Sequence, residues 1–372
     1  MEHCERELVG AGFDNLSEST VDISNTIIAQ NLGKDCGGIF NSRGFNLIGN
    51  NQDCDSFGTE GDQVGLPNNP IDARLGPLED NGGSTQTHVL LAGSPAIDAG
   101  NPAAPGSDGN ACASVDQRGV SRPIDGDKNG ITFCDIGAVE QTCVQSPAGL
   151  ISWWPGESDA TDIADDNDGT PQNGTTFVPG LVGQAFNLAV DAYVLIGNPA
   201  NLKALPAGIT IDAWVNPSSP PPQDDSLLTD IYAIATKWGQ DAMTDAYGLW
   251  LHNPAGTVML IGAIGVPGVV DGVFDGFSGG TIPIGQWTHV AMTYDSETGD
   301  NKLYVNGDIV VERIRTGGIT QSDLTVRIGA EDSFLPRRFQ GLIDEVGIYN
   351  RALSQSEIRA IFTAGSAGKC RD

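Results

Sequence analysis

Apolar and polar residues alternate in short bursts along most of the chain, the two-residue period of half-buried β-strands. In the first third the bursts are brief, as in Thr20-Val21-Asp22-Ile23-Ser24-Asn25-Thr26-Ile27-Ile28-Ala29-Gln30-Asn31 and Gly44-Phe45-Asn46-Leu47-Ile48-Gly49-Asn50, and Asn or Gly marks each corner. A short strand and a corner recurring every 20 to 30 residues or so, about the length of one rung, is the mark of a β-solenoid. Only two such rungs are visible, fewer than a solenoid needs to stand alone.

From Trp153 onward the alternation is stronger. It runs through Gly208-Ile209-Thr210-Ile211-Asp212-Ala213-Trp214-Val215, Tyr247-Gly248-Leu249-Trp250-Leu251, Thr257-Val258-Met259-Leu260-Ile261, Trp287-Thr288-His289-Val290-Ala291-Met292-Thr293-Tyr294 and Leu324-Thr325-Val326-Arg327-Ile328. Short strands with Gly and Pro turns between them predict an antiparallel two-sheet sandwich. Asn306-Gly307, after Lys302-Leu303-Tyr304-Val305, predicts a hairpin because both residues accept the positive φ of a primed turn. One helix is expected near the end, where Ser354 and Glu357 form a capping box ahead of Ile358, Ile361 and Phe362.

Composition separates the two halves. All six Trp and all six Tyr lie between Trp153 and Tyr349, whereas the earlier part is rich in Asn, Gly, Asp and Ser. The formal charge is −29, shared evenly: 21 acids against 7 bases before residue 146, and 27 against 12 after it. Such a field repels nucleic acid and anionic membranes, so phosphate-backbone binding is excluded and neutral partners or cations are favoured. No stretch reaches the roughly 20 apolar residues of a membrane span, so no membrane insertion is expected. No basic and apolar leader follows Met1. The chain opens on Met1-Glu2-His3-Cys4 in strand-and-turn composition, which reads as a cut inside a larger domain.

Seven cysteines occur without a C-x-x-C pair or a zinc-like Cys/His cluster. Cys36 with Cys54 and Cys112 with Cys134 each flank an Asn/Gly-rich loop, and Cys143 and Cys370 stand just outside the ends of the aromatic half. Cys4 is left over. Three local disulfides are therefore expected, and with them a periplasmic, secreted or surface setting.

In the first part, Asp72-Ala73-Arg74-Leu75-Gly76-Pro77-Leu78, Asn81-Gly82-Gly83, Thr85-Gln86-Thr87-His88, Gly93-Ser94-Pro95-Ala96-Ile97-Asp98-Ala99-Gly100, Asp116-Gln117-Arg118-Gly119 and Cys134-Asp135-Ile136-Gly137-Ala138-Val139-Glu140 occur in this order. The series resembles the C-terminal end of right-handed parallel β-helix proteins of bacterial surfaces, which implies last rungs and a cap. Asp125, Asp127 and Asn129 lie at alternate positions before Gly130, like the first half of a calcium loop, but Ile136 stands where an EF-hand has its bidentate Glu. A polar turn is the competing reading. Parallel β-helices include polysaccharide lyases, yet the rungs that would carry a base and carboxylate neutralisers are mostly absent. Arg74 and Arg118 fall in the cap motifs, where pairing with acids is expected.

In the second part, Trp153-Trp154-Pro155-Gly156-Glu157, Gly183-Gln184-Ala185-Phe186, Trp287-Thr288-His289-Val290, Leu303-Tyr304-Val305-Asn306-Gly307 and Gly341-Leu342-Ile343-Asp344-Glu345-Val346-Gly347-Ile348-Tyr349-Asn350-Arg351-Ala352-Leu353-Ser354 follow the pattern of laminin-G-like, concanavalin A-like lectin/glucanase domains. The resemblance implies a jelly roll with adjacent first and last strands, and a calcium-stabilised binder of glycan or protein. The positions matching the family's metal-loop region are Glu157, Asp159, Asp162 and Asp344, with Asp165, Asp166 and Asp168 in the same loop; a solvated acidic turn is the alternative. Glu157, Asp159 and Asp162 also loosely resemble a laminarinase-type carboxylate set, but they follow the first strand rather than lying on a central one. Gly276-Phe277-Ser278-Gly279-Gly280 satisfies G-x-S-x-G without the helix that a nucleophile elbow requires, and reads as a Gly-rich loop. His3, His88, His252 and His289 have no evident partner. Sugar rings stack on exposed aromatic faces, so Trp238, Trp250, Tyr232 and Tyr247 are the ligand candidates, while Trp153, Trp214 and Trp287 are expected in the core.

The expected fold is all-β: a truncated parallel β-helix end with its cap over residues 1–142, then an antiparallel β-sandwich with a short C-terminal helix over 143–372. The expected function is that of an extracellular, calcium-stabilised carbohydrate-binding or adhesion module, monomeric, with polysaccharide or a cell-surface glycan as partner and no catalytic residues. A polysaccharide-degrading hydrolase or lyase is the first alternative, and a structural surface protein without ligand the second.

Overall fold

The computed structural model describes residues 11–15, 21–32, 34–91, 93–107, 109–126, 130, 132–222, 231–239, 244–268, 277–332 and 337–371. The chain forms two compact units, Met1–Cys143 with Thr363–Ala367, and Val144–Phe362 with Gly368–Asp372. Cys4, Asp127 and Asn129 lie outside the described residues.

The first unit is built on short strands: β1 (Ala11–Asn15), β2 (Val21–Ile23), β3 (Ile27–Ile28), β4 (Lys34–Ser42), β5 (Leu47–Ile48), β6 (Cys54–Asp55) and β7 (Gln63–Val64). All pair in parallel. β4 takes β1, β2 and β6 as partners, and a second sheet runs β3-β5-β7. Both faces of that second sheet are used, because alternate residues turn opposite ways. Ile28 and Ile48 join Cys36, Phe40 and Cys54 in one core. Ile27 and Leu47 face a second core, made with Ala73, Leu90, Ala96 and Ile136. The Asn at the corner has a physical role: the fully buried Asn46 accepts from the Thr26 amide and donates to Ser42 and Asp62, satisfying the polar groups of adjacent turns.

Beyond β7 the described residues of the unit form isolated bridges rather than strands, and buried charge pairs hold them. Arg118 pairs with Asp116, and Arg122 with Glu140, as the acid-rich surroundings of the cap motifs suggest. Burial and the Glu140 charge push the Asp135 carboxyl up to about 8. Cys36–Cys54 and Cys112–Cys134 are bonded, and Cys143 and Cys370 are also disulfide-bonded.

The second unit begins with β8 (Leu150–Trp154), β9 (Thr170–Gln172), β10 (Thr176–Pro179), β11 (Gln184–Leu188) and β12 (Tyr193–Gly197). It continues with β13 (Gly208–Pro217), β14 (Ile231–Lys237), β15 (Tyr247–His252), β16 (Met259–Ile264), β17 (Ser278–Thr281) and β18 (Thr288–Asp295). It ends with β19 (Asp300–Val305), β20 (Asp308–Ile314), β21 (Val326–Ile328), β22 (Gly341–Tyr349) and α1 (Gln355–Ala364). One antiparallel sheet runs β10-β11-β22-β13-β18-β19-β20, with β8 also on β22; the other runs β17-β16-β15-β14-β21-β12-β9. Trp154, Phe186, Ile209, Ile211, Leu249, Val290 and Ile348 belong to the large core between them.

Asn306 and Gly307 make the β19–β20 turn at φ of 52° and 82°, the left-handed region the pair was expected to supply. Ser354 and Glu357 cap α1 reciprocally, the Glu357 amide donating to Ser354 Oγ and the Ser354 amide to Glu357 Oε2. Ile358 and Ile361 then pack on Ala291, Tyr304 and Tyr349. Among the described residues no helix is long and apolar enough to cross a membrane.

Candidate binding site

The aromatic residues expected to meet a ligand are core residues. Trp250 is fully buried, Tyr247 and Tyr232 nearly so, and Trp238 is 9% exposed. The reason lies in the second sheet, which is apolar on both faces. Tyr232, Tyr247, Leu249 and Leu251 point into the main core, while Ile231, Ala233, Trp250, Ile261 and Ala263 turn the other way and form a second buried cluster with Trp238. Trp238 and Trp250 meet edge to face at 5.4 Å, and Trp250 Nε1 donates to the buried Glu331 carboxylate at 2.6 Å. The Tyr247 hydroxyl is spent on the Leu202 carbonyl. Trp287, expected in the core, is instead the one tryptophan only partly buried, because it precedes β18 rather than lying in it.

The expected metal ligands are likewise reassigned. Among the described residues no group of three or more His, Cys, Asp or Glu side chains is placed to hold a metal ion. β22 bulges where two of its residues oppose one of β13, and Glu345 sits there at φ 56°. Asp344 turns toward the β10–β11 connection, where its Oδ2 accepts from the Leu181 and Val182 amides at 2.9 and 3.0 Å. Glu157 accepts from the Gln184 amide and from Arg371, whose guanidinium also holds Glu345. The positive charge at this seam is therefore a side chain of the protein. Asp159 accepts from the Thr161 amide, and Asp162 Oδ1 takes the amides of Trp153 and Ala164, ordinary turn-capping bonds. Among the described residues these carboxylates do not gather into a group able to hold a metal ion; each is engaged by backbone amides or by Arg371. Asp125 Oδ2 accepts from Gly130 N at 2.9 Å, and the other two residues of that expected loop, Asp127 and Asn129, lie outside the described residues.

Burial, reinforced by the Glu345 charge, raises the Asp344 carboxyl well above its ordinary value. A raised folded value means that the folded state keeps its proton longer than the unfolded one, so stability is lost as pH rises above the unfolded carboxylate range. Asp344→Asn is expected to remove up to about 1.4 kcal/mol of that loss per pH unit. Denaturant melts of both proteins between pH 4 and 8 read the difference, which leaves Asp135 out because it is common to both. Parallel stability curves would refute the assignment.

Sequence reading missed a buried triad. Asp212 on β13, His289 on β18 and Lys369 are at most 1% exposed, with Lys369 Nζ at 3.2 Å and His289 Nε2 at 3.5 Å from Asp212 Oδ2. Burial alone would raise the Asp212 carboxyl, but the Lys369 ammonium and His289 outweigh it and hold it low. His289 is thus a packed residue between Trp214 and Phe362 with a partner 77 residues away, a separation that hides it from spacing arguments. Ser278 opens strand β17 rather than a loop, so it cannot serve as a nucleophile elbow.

The sandwich has a groove of about 430 Å³ at the ends of β11, β13 and β22. Asn187, Asn216, Ser218 and Gln340 provide its polar groups, and Leu342 and the exposed Val190 its apolar ones. None of its lining residues is charged.

Mouse (Mus musculus) pentraxin-related protein PTX3 is 29% identical over 146 residues, 36% of this chain and 34% of that protein. The cattle (Bos taurus) protein of the same name is 34% identical over 101 residues, 24% of this chain and 25% of its own length. The chain thus spans about a third or less of these relatives. Among solved structures, domain 4 of AbnA, an extracellular arabinanase from Geobacillus stearothermophilus, is similar at 21% identity and a TM-score of 0.42, covering 56% of this chain and 96% of that one. Residues 188–359, within the second unit, match the family described as the Concanavalin A-like lectin/glucanases superfamily.

Proposed function

We propose that the chain is an extracellular, non-catalytic module that binds uncharged polysaccharide or a cell-surface glycan through the groove at the ends of β11, β13 and β22. The observation that carries this reading is the groove's uncharged, amide-rich lining in a chain of net charge −29. Asn and Gln side chains offer a donor and an acceptor side by side, the arrangement that adjacent sugar hydroxyls require, while Val190 and Leu342 receive C–H faces. Trp287, two residues beyond the groove's Gly285, supplies a partly exposed ring suited to stacking. The disulfides favour an oxidising compartment. The small parallel ladders of the first unit support reading it as the last rungs and cap of a parallel β-helix. Calcium has no part in this reading, since Arg371 occupies the seam.

Passing the full chain over immobilised neutral glucans, xylans, arabinans and galactans tests the proposal. Retention is expected to be insensitive to salt and to weaken about tenfold in Asn216→Ala and Trp287→Ala, the loss of one or two good contacts. Retention unchanged in both variants would remove the groove from consideration. Release of reducing ends would favour the hydrolase or lyase alternative.

A further inference from the structure

Lys237 closes β14 with its side chain fully buried, and among the described residues no carboxylate is paired with it. Its Nζ donates to Asn198 Oδ1 and to the Leu324 carbonyl, both at 2.6 Å. The nearby acids are engaged elsewhere, Asp323 by Lys203 and Asp332 by Arg327. Lys369, also buried, has the Asp212 carboxylate, whereas Lys237 has two neutral oxygens. Burial and the Lys203 charge push the Lys237 amine down to about 8. At pH 7 roughly a tenth of it is therefore neutral, the form that acts as a nucleophile.

The group held against this amine is an electrophile. Asn198 follows β12, and its amide is bound on both sides: Oδ1 accepts from Lys237, while Nδ2 donates to Asp323 Oδ1 at 3.4 Å. Hydrogen bonds from Lys203 and Asn198 hold the Asp323 carboxyl below its ordinary value, so it stays ionised and can take up a proton. The Asp323 side chain is 84% exposed and Asn198 is exposed as well, which gives a leaving group a path to solvent. An amine bonded to an amide oxygen lies next to the carbonyl carbon, and such fixed contact replaces the high concentration that the reaction needs in water.

We infer that Lys237 and Asn198 become joined by an amide bond between their side chains. Neutral Nζ adds to Cγ of Asn198, Asp323 takes a proton from Nζ and passes it to Nδ2, and the Cγ–Nδ2 bond breaks. One C–N bond replaces another, one ammonia leaves, and no oxidant is needed. β14 and β12 flank β21, a strand of only three residues, so the bond ties the second sheet together across it. It links residues 39 apart in sequence and, unlike the disulfides, survives reduction. The inference stands apart from glycan binding by the groove.

The full chain, folded and incubated near pH 8, is to be reduced, unfolded and weighed by mass spectrometry, then digested. A mass lower by one ammonia and a branched peptide joining Lys237 to Asn198 are expected. The four asparagines followed by Gly, Asn81, Asn129, Asn173 and Asn306, can lose ammonia to the next backbone amide, but Pro199 has no N–H, so loss at Asn198 requires another amine. Formation should quicken about tenfold per pH unit up to about 8 and then level, as the amine gives up its proton. Lys237→Arg keeps the charge and should retain the full mass. Asp323→Ala, a change at an exposed side chain, should slow the bond about a hundredfold while the sheet stays folded. The inference fails if the native chain keeps its full mass, or if ammonia is lost only from the Asn-Gly pairs. It also fails if Lys237→Arg loses ammonia at Asn198, or if formation is equally fast at pH 6 and pH 8.

Discussion

Lys369→Met is expected to cost the sandwich about 3–5 kcal/mol, the loss seen when one partner of a buried charge pair is removed. The Asp212 carboxylate that remains has no exposed surface, and its Oδ1 is buried without a hydrogen-bond partner. His289 at 3.5 Å is a weak substitute for an ammonium at 3.2 Å. Lys369 also donates to the Glu345 carbonyl and lies 5.4 Å from the Trp153 ring centre, so packing is lost along with charge. The pH dependence gives a specific signature. In the native protein the Asp212 carboxyl is held below its ordinary value, so its contribution is present above that value and is lost as pH falls through the lower, folded one. Without Lys369 burial dominates, the carboxyl titrates higher, and the deficit of the variant should shrink as pH falls from 7 toward 4. Denaturant melts followed by tryptophan fluorescence measure both quantities. Asp212→Leu combined with Lys369→Met should recover much of the loss, because a well-packed apolar pair costs no desolvation. A single-variant deficit below about 1 kcal/mol would place the pair among weak surface bridges and contradict its burial.

Arg337→Met should have an effect of similar size, about 3–5 kcal/mol, through the second sheet. Arg337 Nη1 lies 2.9 and 2.8 Å from the two Glu331 oxygens, and the pair is at most 1% exposed. Glu331 also accepts from Trp250, so losing the guanidinium disturbs the cluster of Trp238, Trp250 and Ile261 on that face. Trp250 then reports the change directly: its emission should shift in the folded variant even before melting. Glu331→Gln keeps the shape and the acceptor for Trp250 but strands the Arg337 cation, and is expected to be destabilising as well. If Arg337→Met leaves both the emission and the midpoint unchanged, the pair does not hold the face together.

The sandwich was legible because its signals are local. Alternation marks a strand wherever it occurs, Asn306-Gly307 can turn without strain, and Ser354 and Glu357 cap each other over three residues. The adjacency of β8 and β22, expected from the family resemblance, also appears, with Trp153 opposite Gly347. The site was harder to read. Alternation assigns Trp250 and Leu251 to opposite faces but does not say that both faces are covered. A carboxylate that caps amides looks in sequence like one that binds a cation, and only the geometry assigns Asp344 to Leu181 and Val182, and Glu157 to Arg371. The bulge at Glu345 carries no turn residue to announce it. Trp287 differs from a core tryptophan only by standing one residue before its strand.

The seam closed by Lys369 and Arg371 also sets a clock. Arg371 lies 214 residues beyond Glu157, so at a synthesis rate of roughly 5–20 residues per second the carboxylates wait on the order of 10–40 s for their cation. Lys369 follows Asp212 by 157 residues, so the central strand of the first sheet also emerges with its charge uncompensated. Such long-range closure slows folding, because the loop must be ordered before its contacts form. Until then the Trp153 strand lacks the segment that covers it, and the nascent sandwich is most exposed to aggregation in that interval.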